Sequence, residues 1–309
     1  MRTKRIILVP SNAGLGASSA VGTYIYTLPK GVRYARLDLV YIDGSGAPID
    51  ISSDPTGDFG TAGGLLGDIE LQTNSKTFRI HSACDLDHAN TLNGTQYGRG
   101  ALKTGAAATL RQPLPIWFRE PWRKDINQAD SMAFNCDPTW GINTFQIKIT
   151  LAVAMPATAT FYILAYVDDI TPNPNKGGLQ ALKRVYRYYL PANGNAGDYT
   201  QIALNNIQTI LMVNPTGGYI QKCTAKLGGL LLRDAVYQPD NVAAMIGEGL
   251  NPAVSQVAGH FGYDLVWDYD DPIQSALPAA GNLWMHLDFS AATTGIIRTL
   301  VETLGAPDV

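Results

Sequence analysis

Residues 24–29 read YIYTLP and residues 186–191 read YRYYLP, one Tyr-x-Tyr-x-Leu-Pro pattern stated twice, 162 positions apart. A six-residue echo with two free positions has weight only if other features recur behind it in order. Strand-like segments follow each copy at roughly ten-residue intervals, the spacing of sandwiches and barrels. After the first come VRYARLDLVYID, DIELQTNS, TFRIHS, LPIWFREPW, FQIKITLAV and TFYILAYVDD. After the second come DYTQIALNN, TILMVNP, YIQKCTAKL, GYDLVWDYDDP, LWMHLDFS and GIIRTLVETL, with YIQKCTAKL set against TFRIHS. Each half also carries a helical candidate. ACDLDHANTLNG (83–94) has Leu86, Ala89 and Leu92 on one face and Gly94 as its stop; LLRDAVYQPDNVAAMIGEG (231–249) ends at Gly247 and Gly249. Matched positions lie 162 residues apart at Tyr24 and Tyr186, 150 at Trp117 and Trp267, 139 at Phe145 and Trp284, and 135 at Phe161 and Ile296. Chance matches would scatter in both directions, whereas a steady decrease is what shorter loops in a second copy produce. The chain reads as one β-domain duplicated. ITPNPNKGGLQ (170–180), with two prolines, two asparagines and two glycines, is the linker. The expected division is an N-terminal arm over 1–20, a first domain over 21–170, a linker over 171–180 and a second domain over 181–309.

A chain of 309 residues has the length for two domains. Charged residues make up 16%, against roughly 25% in ordinary soluble domains. With 31 glycines, 18 prolines and 15 tyrosines, the composition favours strands joined by turns. Low charge also implies a surface largely covered by neighbouring subunits, because charge is depleted at interface cores. A net charge of −3 supplies no basic field, so no sequence-specific nucleic-acid partner is expected. Cys84, Cys136 and Cys223 are odd in number and far apart, which argues against a disulfide framework and fits folding in a reducing compartment. MRTKRIILVP starts like a signal peptide, but its apolar run from Ile6 to Val9 falls short of an apolar region of about 7–15 residues. The uncharged stretch 149–167 approaches the length of a membrane span, yet Pro156 sits at its middle. Phe145, Ile147, Ile149 and Leu151 alternate with Gln146, Lys148 and Thr150, so the stretch reads as two strands and a turn.

Chemistry is sparse. HSACDLDH gathers His81, Cys84, Asp85, Asp87 and His88, the best metal-ligand cluster in the chain. No second Cys or His pair closes a zinc shell, and a helix start with Asp85 near its N-cap is the plainer reading. DYDDP places Asp268, Asp270 and Asp271 near a strand end, where hard oxygen ligands suit a structural calcium between subunits; no EF-hand loop surrounds them. NAGLGASSAVG lacks a Walker lysine and reads as an arm, not a phosphate cradle. Neither G-x-S-x-G nor H-E-x-x-H occurs. Trp117 and Trp267 recur at matched places, which points to a core aromatic in each domain instead of a sugar platform. No catalytic or cofactor-binding residue is assigned, and a non-enzyme is expected.

Two tandem β-domains, each with a helix, joined by a Pro/Gly linker, resemble the double jelly-roll major capsid proteins of tailless icosahedral viruses with an internal membrane. The small corticovirus-like phage versions are the nearest in pattern. YTLPKGVRYARLDLVYIDG early in the first half carries the resemblance, with GYDLVWDYDDP and LWMHLDFS near the end. It covers roughly residues 20–305 as order and pattern, while the loops at 44–67 and 92–112 are not shared. The resemblance implies an all-β chain of two eight-stranded jelly rolls that forms homotrimers, so that six barrels make a nearly hexagonal capsomer. A threefold ring closes by one repeated head-to-tail contact. Implied partners are neighbouring capsomers, a separate vertex (penton) protein and the internal lipid membrane; implied locations are the virion and, during assembly, the host cytoplasm. Arg2, Lys4 and Arg5 are the candidate membrane-facing residues of the arm, where a basic side chain near anionic headgroups contributes about 1 kcal/mol. The main rival is a glycan-binding or glycan-cleaving pair of β-sandwiches. A bicupin enzyme lacks its H-x-H pattern here, and a minor vertex protein of the same virus type would carry one barrel.

Overall fold

The computed structural model describes residues 4–10, 15–44, 64–93, 103–104, 109–122, 133–169, 182–202, 204, 206–213, 220–237, 260–264 and 283–305. The first half runs β1 (Lys4–Leu8), β2 (Gly22–Thr27), β3 (Val32–Asp43), β4 (Leu66–Thr73), β5 (Lys76–Ser82) and helix α1 (Ala83–Leu92). It continues with β6 (Lys103–Thr104), β7 (Thr109–Trp117), β8 (Phe134–Cys136), β9 (Phe145–Leu151) and β10 (Thr160–Asp169). The second half holds β11 (Leu182–Ile202), β12 (Ile207–Val213), β13 (Ile220–Leu227), β14 (Leu230–Tyr237), β15 (His260–Asp264) and β16 (Leu283–Gly305). The uncharged stretch 149–167 is the end of β9, a turn through Pro156 and most of β10. No described helix is long and apolar enough to cross a membrane.

The first half folds into two antiparallel sheets, ordered β1-β10-β3-β7 and β5-β4-β9-β2, with short β6 beside β7 and β8 beside β3. In the second half β11 and β16 pair along their whole length, with breaks in register near Gly194 and between Asp288 and Thr293. Each therefore serves two sheets. The early part of β11 pairs the late part of β16, which pairs β12, which pairs β15. The late part of β11 pairs the early part of β16, which pairs β13, which pairs β14. The order of pairing is the same in both halves, and it is that of a jelly roll.

Period-two alternation explains why these sequences make sandwiches. In β9, Phe145, Ile147, Ile149 and Leu151 are buried while Gln146, Lys148 and Thr150 face outward. Among the described residues, one apolar core runs from Val9 to Leu182 and another from Leu190 to Val301. Tyr34, Phe118, Phe134 and Phe145 stack at the centre of the first, with Phe134 and Phe145 edge to face at 4.8 Å between centroids. Cys84, Cys136 and Cys223 are all buried.

Pairing partners correct the strand equivalences read from sequence. YIYTLP begins in β2, which pairs β9; YRYYLP lies in the early part of β11, which pairs the end of β16. The strand of the first roll with that partnership is β1, paired to β10. The opening echo therefore joins strands that are not counterparts. True counterparts are Lys4 and Val185, in the first strands, and Gly31 and Asn206, left-handed residues (φ 73° and 55°) just before β3 and β12. They continue with Asn74 and Gly228, opening the left-handed hairpin turns after β4 and β13, and with Phe145 and Leu283, each opposite the last residue before its turn. These pairs are 181, 175, 154 and 138 positions apart, still a steady decrease.

Three further expectations change. Residues 4–8 are not a free arm but the first strand of the first roll, held by five register pairs with β10. YIQKCTAKL is the counterpart of β4, not of TFRIHS. The start of the second helical candidate, LLRDAVY, belongs to strand β14, the counterpart of β5; its remainder, 238–249, lies outside the described residues. The linker expected at 171–180 also lies outside them. Finally, the two rolls are joined edge to edge: β11 runs parallel to β5 at one residue pair, Val185 opposite Arg79, so one sheet continues across both rolls while the two cores stay separate.

Candidate functional site

The densest polar cluster among the described residues lies where the second roll meets the first. The second roll presents the outer face of its β11-β16-β12 sheet: Lys183, Val185, Gln208, Leu211, Arg298, Leu300 and Glu302. The first presents β5, α1 and the segment after β7. Val185, Leu211 and Leu300 form a small apolar cluster against half-buried Ala89 and Trp122. Ion pairs surround it. Lys183 is buried between Glu120, a close ion pair, and Glu302 at 2.8 Å. Gln208 donates to both Glu120 carboxylate oxygens at 3.0 and 3.3 Å. Arg298 Nε donates to Asp85 Oδ1 at 2.8 Å, both groups buried. Arg187 reaches Asp68 at 2.7 Å.

Local structure aims these groups. Ser82 Oγ accepts the Asp85 N–H at 3.1 Å, capping α1 and fixing Asp85 in its first turn, where the helix dipole favours a carboxylate. Arg79 Nε donates to Lys183 O at 2.9 Å and Nη1 to Trp117 O at 2.7 Å, its guanidinium 4.8 Å from the Phe118 centroid. One arginine thus ties the first strand of the second roll to the last residue of β7. Burial pulls the Arg79 pKa down to about 10, with Glu302 and Glu120 resisting. Burial opposes the Lys183 charge too, but Glu120 and Glu302 outweigh it and hold that pKa above the usual lysine value. For Asp85 burial wins: it raises the carboxyl, and Arg298 pulls it only part of the way back. His81, buried beside these cations, drops to about 3 through burial first and then Arg79, Arg187 and Lys183, and its Nδ1 meets no hydrogen-bond partner among the described residues.

The residues singled out from sequence separate accordingly. Asp85 and His81 belong to the seam between the rolls, Cys84 and Asp87 are buried nearby, and the His88 side chain is not described. Among the described residues no group of three His, Cys, Asp or Glu side chains is placed to hold a metal ion. Asp268, Asp270, Asp271 and Trp267 lie outside them. Trp117 is half-buried on the outer face of β7 and not in the apolar core, with the Arg36 guanidinium 4.7 Å from its ring and 3.9 Å from Tyr166. Lys4 and Arg5 sit in β1, where Arg5 pairs with Asp169 at 3.0 Å; Arg2 is outside the described residues. Sequence reasoning missed Arg79, Glu120, Lys183, Gln208 and Arg298. Only a charged residue at an inward or sheet-covered register would have flagged them, and the covering face could not be known.

The fold is shared over the whole chain with solved viral proteins. The major capsid protein P2 from bacteriophage PM2 superposes with a TM-score of 0.71 at 17% identity, covering 99% of this chain and 98% of that one. This chain has the double jelly-roll fold. The STIV major capsid protein shares it at a TM-score of 0.66 and 12% identity, over 99% of this chain and 97% of that one. PBCV-1 VP54, fitted into a reconstruction of the virophage Sputnik, gives 0.62 at 10% identity, over 98% and 94%. No family model matches the sequence, and no curated protein matches it. In this double jelly roll the chemistry of the seam is that of a clamp. Removing one partner of such a buried pair costs about 3–5 kcal/mol, so the clamp fixes how one roll sits on the other.

Proposed function

We propose that this chain is a structural major capsid protein of an icosahedral, membrane-containing virus, forming homotrimeric, pseudo-hexameric capsomers. One observation carries the reading: both rolls, in order, match the PM2 major capsid protein over 99% of this chain and 98% of that one. A shell needs six similar faces per tile, and a duplicated barrel repeated three times supplies them. The seam serves that role by holding the two barrels of each chain at one angle. The low charged content agrees with a surface covered by neighbours.

Light scattering on the size-exclusion peak of the purified chain tests the reading. A mass near 100 kDa, three times 33.2 kDa, is expected; a monomer at every concentration, with no copies in purified particles, removes it. Neighbouring capsomers, a vertex protein and the internal membrane are the partners in this reading, with the virion as destination after assembly in the host cytoplasm. Arg2 and Lys4 at the chain start are the residues proposed to lie near lipid headgroups. Reversing both charges should then reduce flotation with anionic vesicles, and unchanged flotation discards that contact.

A further inference from the structure

The seam holds three groups whose chemistry goes beyond an ion pair. Lys183 stands on β11 and Gln208 on β12, the two strands that flank the late part of β16, both on the outer face of that sheet. Gln208 sits at the register break between Ile207 and Thr209, where a bulge re-aims a side chain. Glu120, from the segment after β7, touches both. Its Oε1 makes the close ion pair with Lys183 Nζ and accepts from Gln208 Nε2 at 3.0 Å, so an amine and an amide meet on one carboxylate oxygen. The side chains of Lys183 and Glu120 are 5% and 1% exposed. Gln208 is fully buried, and its Oε1 accepts no hydrogen bond among the described residues. A clamp has no use for an unpaired buried carbonyl, which costs stability.

An amine attacks an amide carbonyl only when neutral. A carboxyl group touching both can take a proton from the nitrogen that attacks and hand one to the nitrogen that leaves. Proton transfer from Lys183 to Glu120 removes both charges in a buried site, where the charged form is the expensive one. Turning the Gln208 amide over then lets its Oε1 accept from the protonated Glu120, which satisfies the orphan oxygen and polarises the carbonyl. Holding the groups together supplies an effective concentration of about 10⁵–10⁸ M. We propose that Lys183 and Gln208 join in an isopeptide bond that the folded chain forms on itself, with Glu120 as the catalytic acid and base. Lys183 Nζ attacks Gln208 Cδ, the new C–N bond forms, and the bond from Cδ to Nε2 breaks. Overall, the lysine ammonium and the amide become an isopeptide and an ammonium ion, and Glu120 ends as the carboxylate it began. Glu302, 2.8 Å from Lys183 Nζ, helps Glu120 to hold the proton on the amine, so conversion is slow. The bond lies within the second roll, while its N–H remains a donor to Glu120 of the first, so the clamp between the rolls persists. This chemistry belongs to a single chain and stands apart from the capsomer reading.

Intact-mass spectrometry of the wild-type chain, held folded at neutral pH for days, tests the bond without any substitution. Loss of one ammonia should lower the mass by about 17 Da. A protease digest should then give one branched peptide joining Lys183 to Gln208. Glu120→Gln keeps the shape of the site and should keep the full mass, with circular dichroism as the check on folding. Should that variant misfold, Lys183→Arg replaces it, and it too should keep the full mass. Separate, unmodified peptides for Lys183 and Gln208 in the wild type overturn the bond. So does a deficit of the same size that maps to a succinimide at Asn93–Gly94 or Asn193–Gly194. A branched peptide from folded Glu120→Gln chains overturns the role given to Glu120. Light scattering decides the capsomer reading separately: a monomer that carries the bond would overturn that reading alone.

Discussion

At the scale of single residues, the seam behaves as a set of charges that tolerate burial only in company. Asp85→Asn keeps the shape but strands Arg298, and should lower the unfolding free energy by about 3–5 kcal/mol in denaturant titration. Asp85→Leu combined with Arg298→Met removes both charges and should recover most of that loss. His81 gives the seam a pH response. Its folded pKa is depressed to about 3, so between about 6.5 and 3 the unfolded chain binds a proton that the folded chain refuses. Stability is therefore whole above that window and declines as pH falls through it, by about 1.4 kcal/mol per unit. Comparing wild type with His81→Gln isolates this slope from the carboxylates, and parallel curves would show that His81 is protonated in the fold. Sequence showed that these residues cluster, but read the cluster as a metal candidate or a helix cap. The cap is real; the partner that decides Asp85 lies 213 residues away, where no local pattern can announce it.

At the scale of elements, alternation and turn residues were legible and partnership was not. VRYARLDLVYID and TFYILAYVDD are strands over their full length, because apolar side chains at every second position commit a segment to a sandwich. Which strand is the counterpart of which depends on hydrogen-bonding neighbours, and a Tyr-x-Tyr-x-Leu-Pro echo carries no information about those. KRIIL, with only Ile7 packed on the core, has too little alternation to declare itself a strand. The two hairpin turns show how counterparts diverge. Asn74 and Ser75 adopt left-handed φ of 49° and 66°, as do Gly228 and Gly229 at 53° and 91°. Asn74 also donates to Gly141 O at 2.7 Å and accepts from the N–H groups of Asn143 and Thr144. Asn74→Ala removes those bonds and places a Cβ-bearing residue with no local hydrogen bond at positive φ, for a loss of about 2–4 kcal/mol. Gly228→Ala meets no atom within 4 Å and should cost about 1–2 kcal/mol. Thermal melts of the two variants should rank in that order.

At the scale of the whole molecule, duplication was legible in the shrinking offsets, and the corrected pairs shrink in the same way. What the offsets could not show is that the copies share a sheet edge and a buried clamp. That clamp has a thermodynamic consequence. Among the described residues, the second roll rests the outer face of its sheet on the first roll's β5, α1 and the residues after β7. Coupled through Lys183, Glu120, Gln208 and Arg298, it cannot leave without stranding buried charges on both sides, each at several kcal/mol. Calorimetry on the wild-type chain at fixed concentration should therefore show one transition, with calorimetric and van't Hoff enthalpies in agreement. Glu120→Ala removes an acceptor from both Lys183 and Gln208 and should split the trace into two transitions, one for each roll. A single transition merely shifted down would mean that the rolls are coupled through the Val185, Leu211 and Leu300 contact and not through their charges.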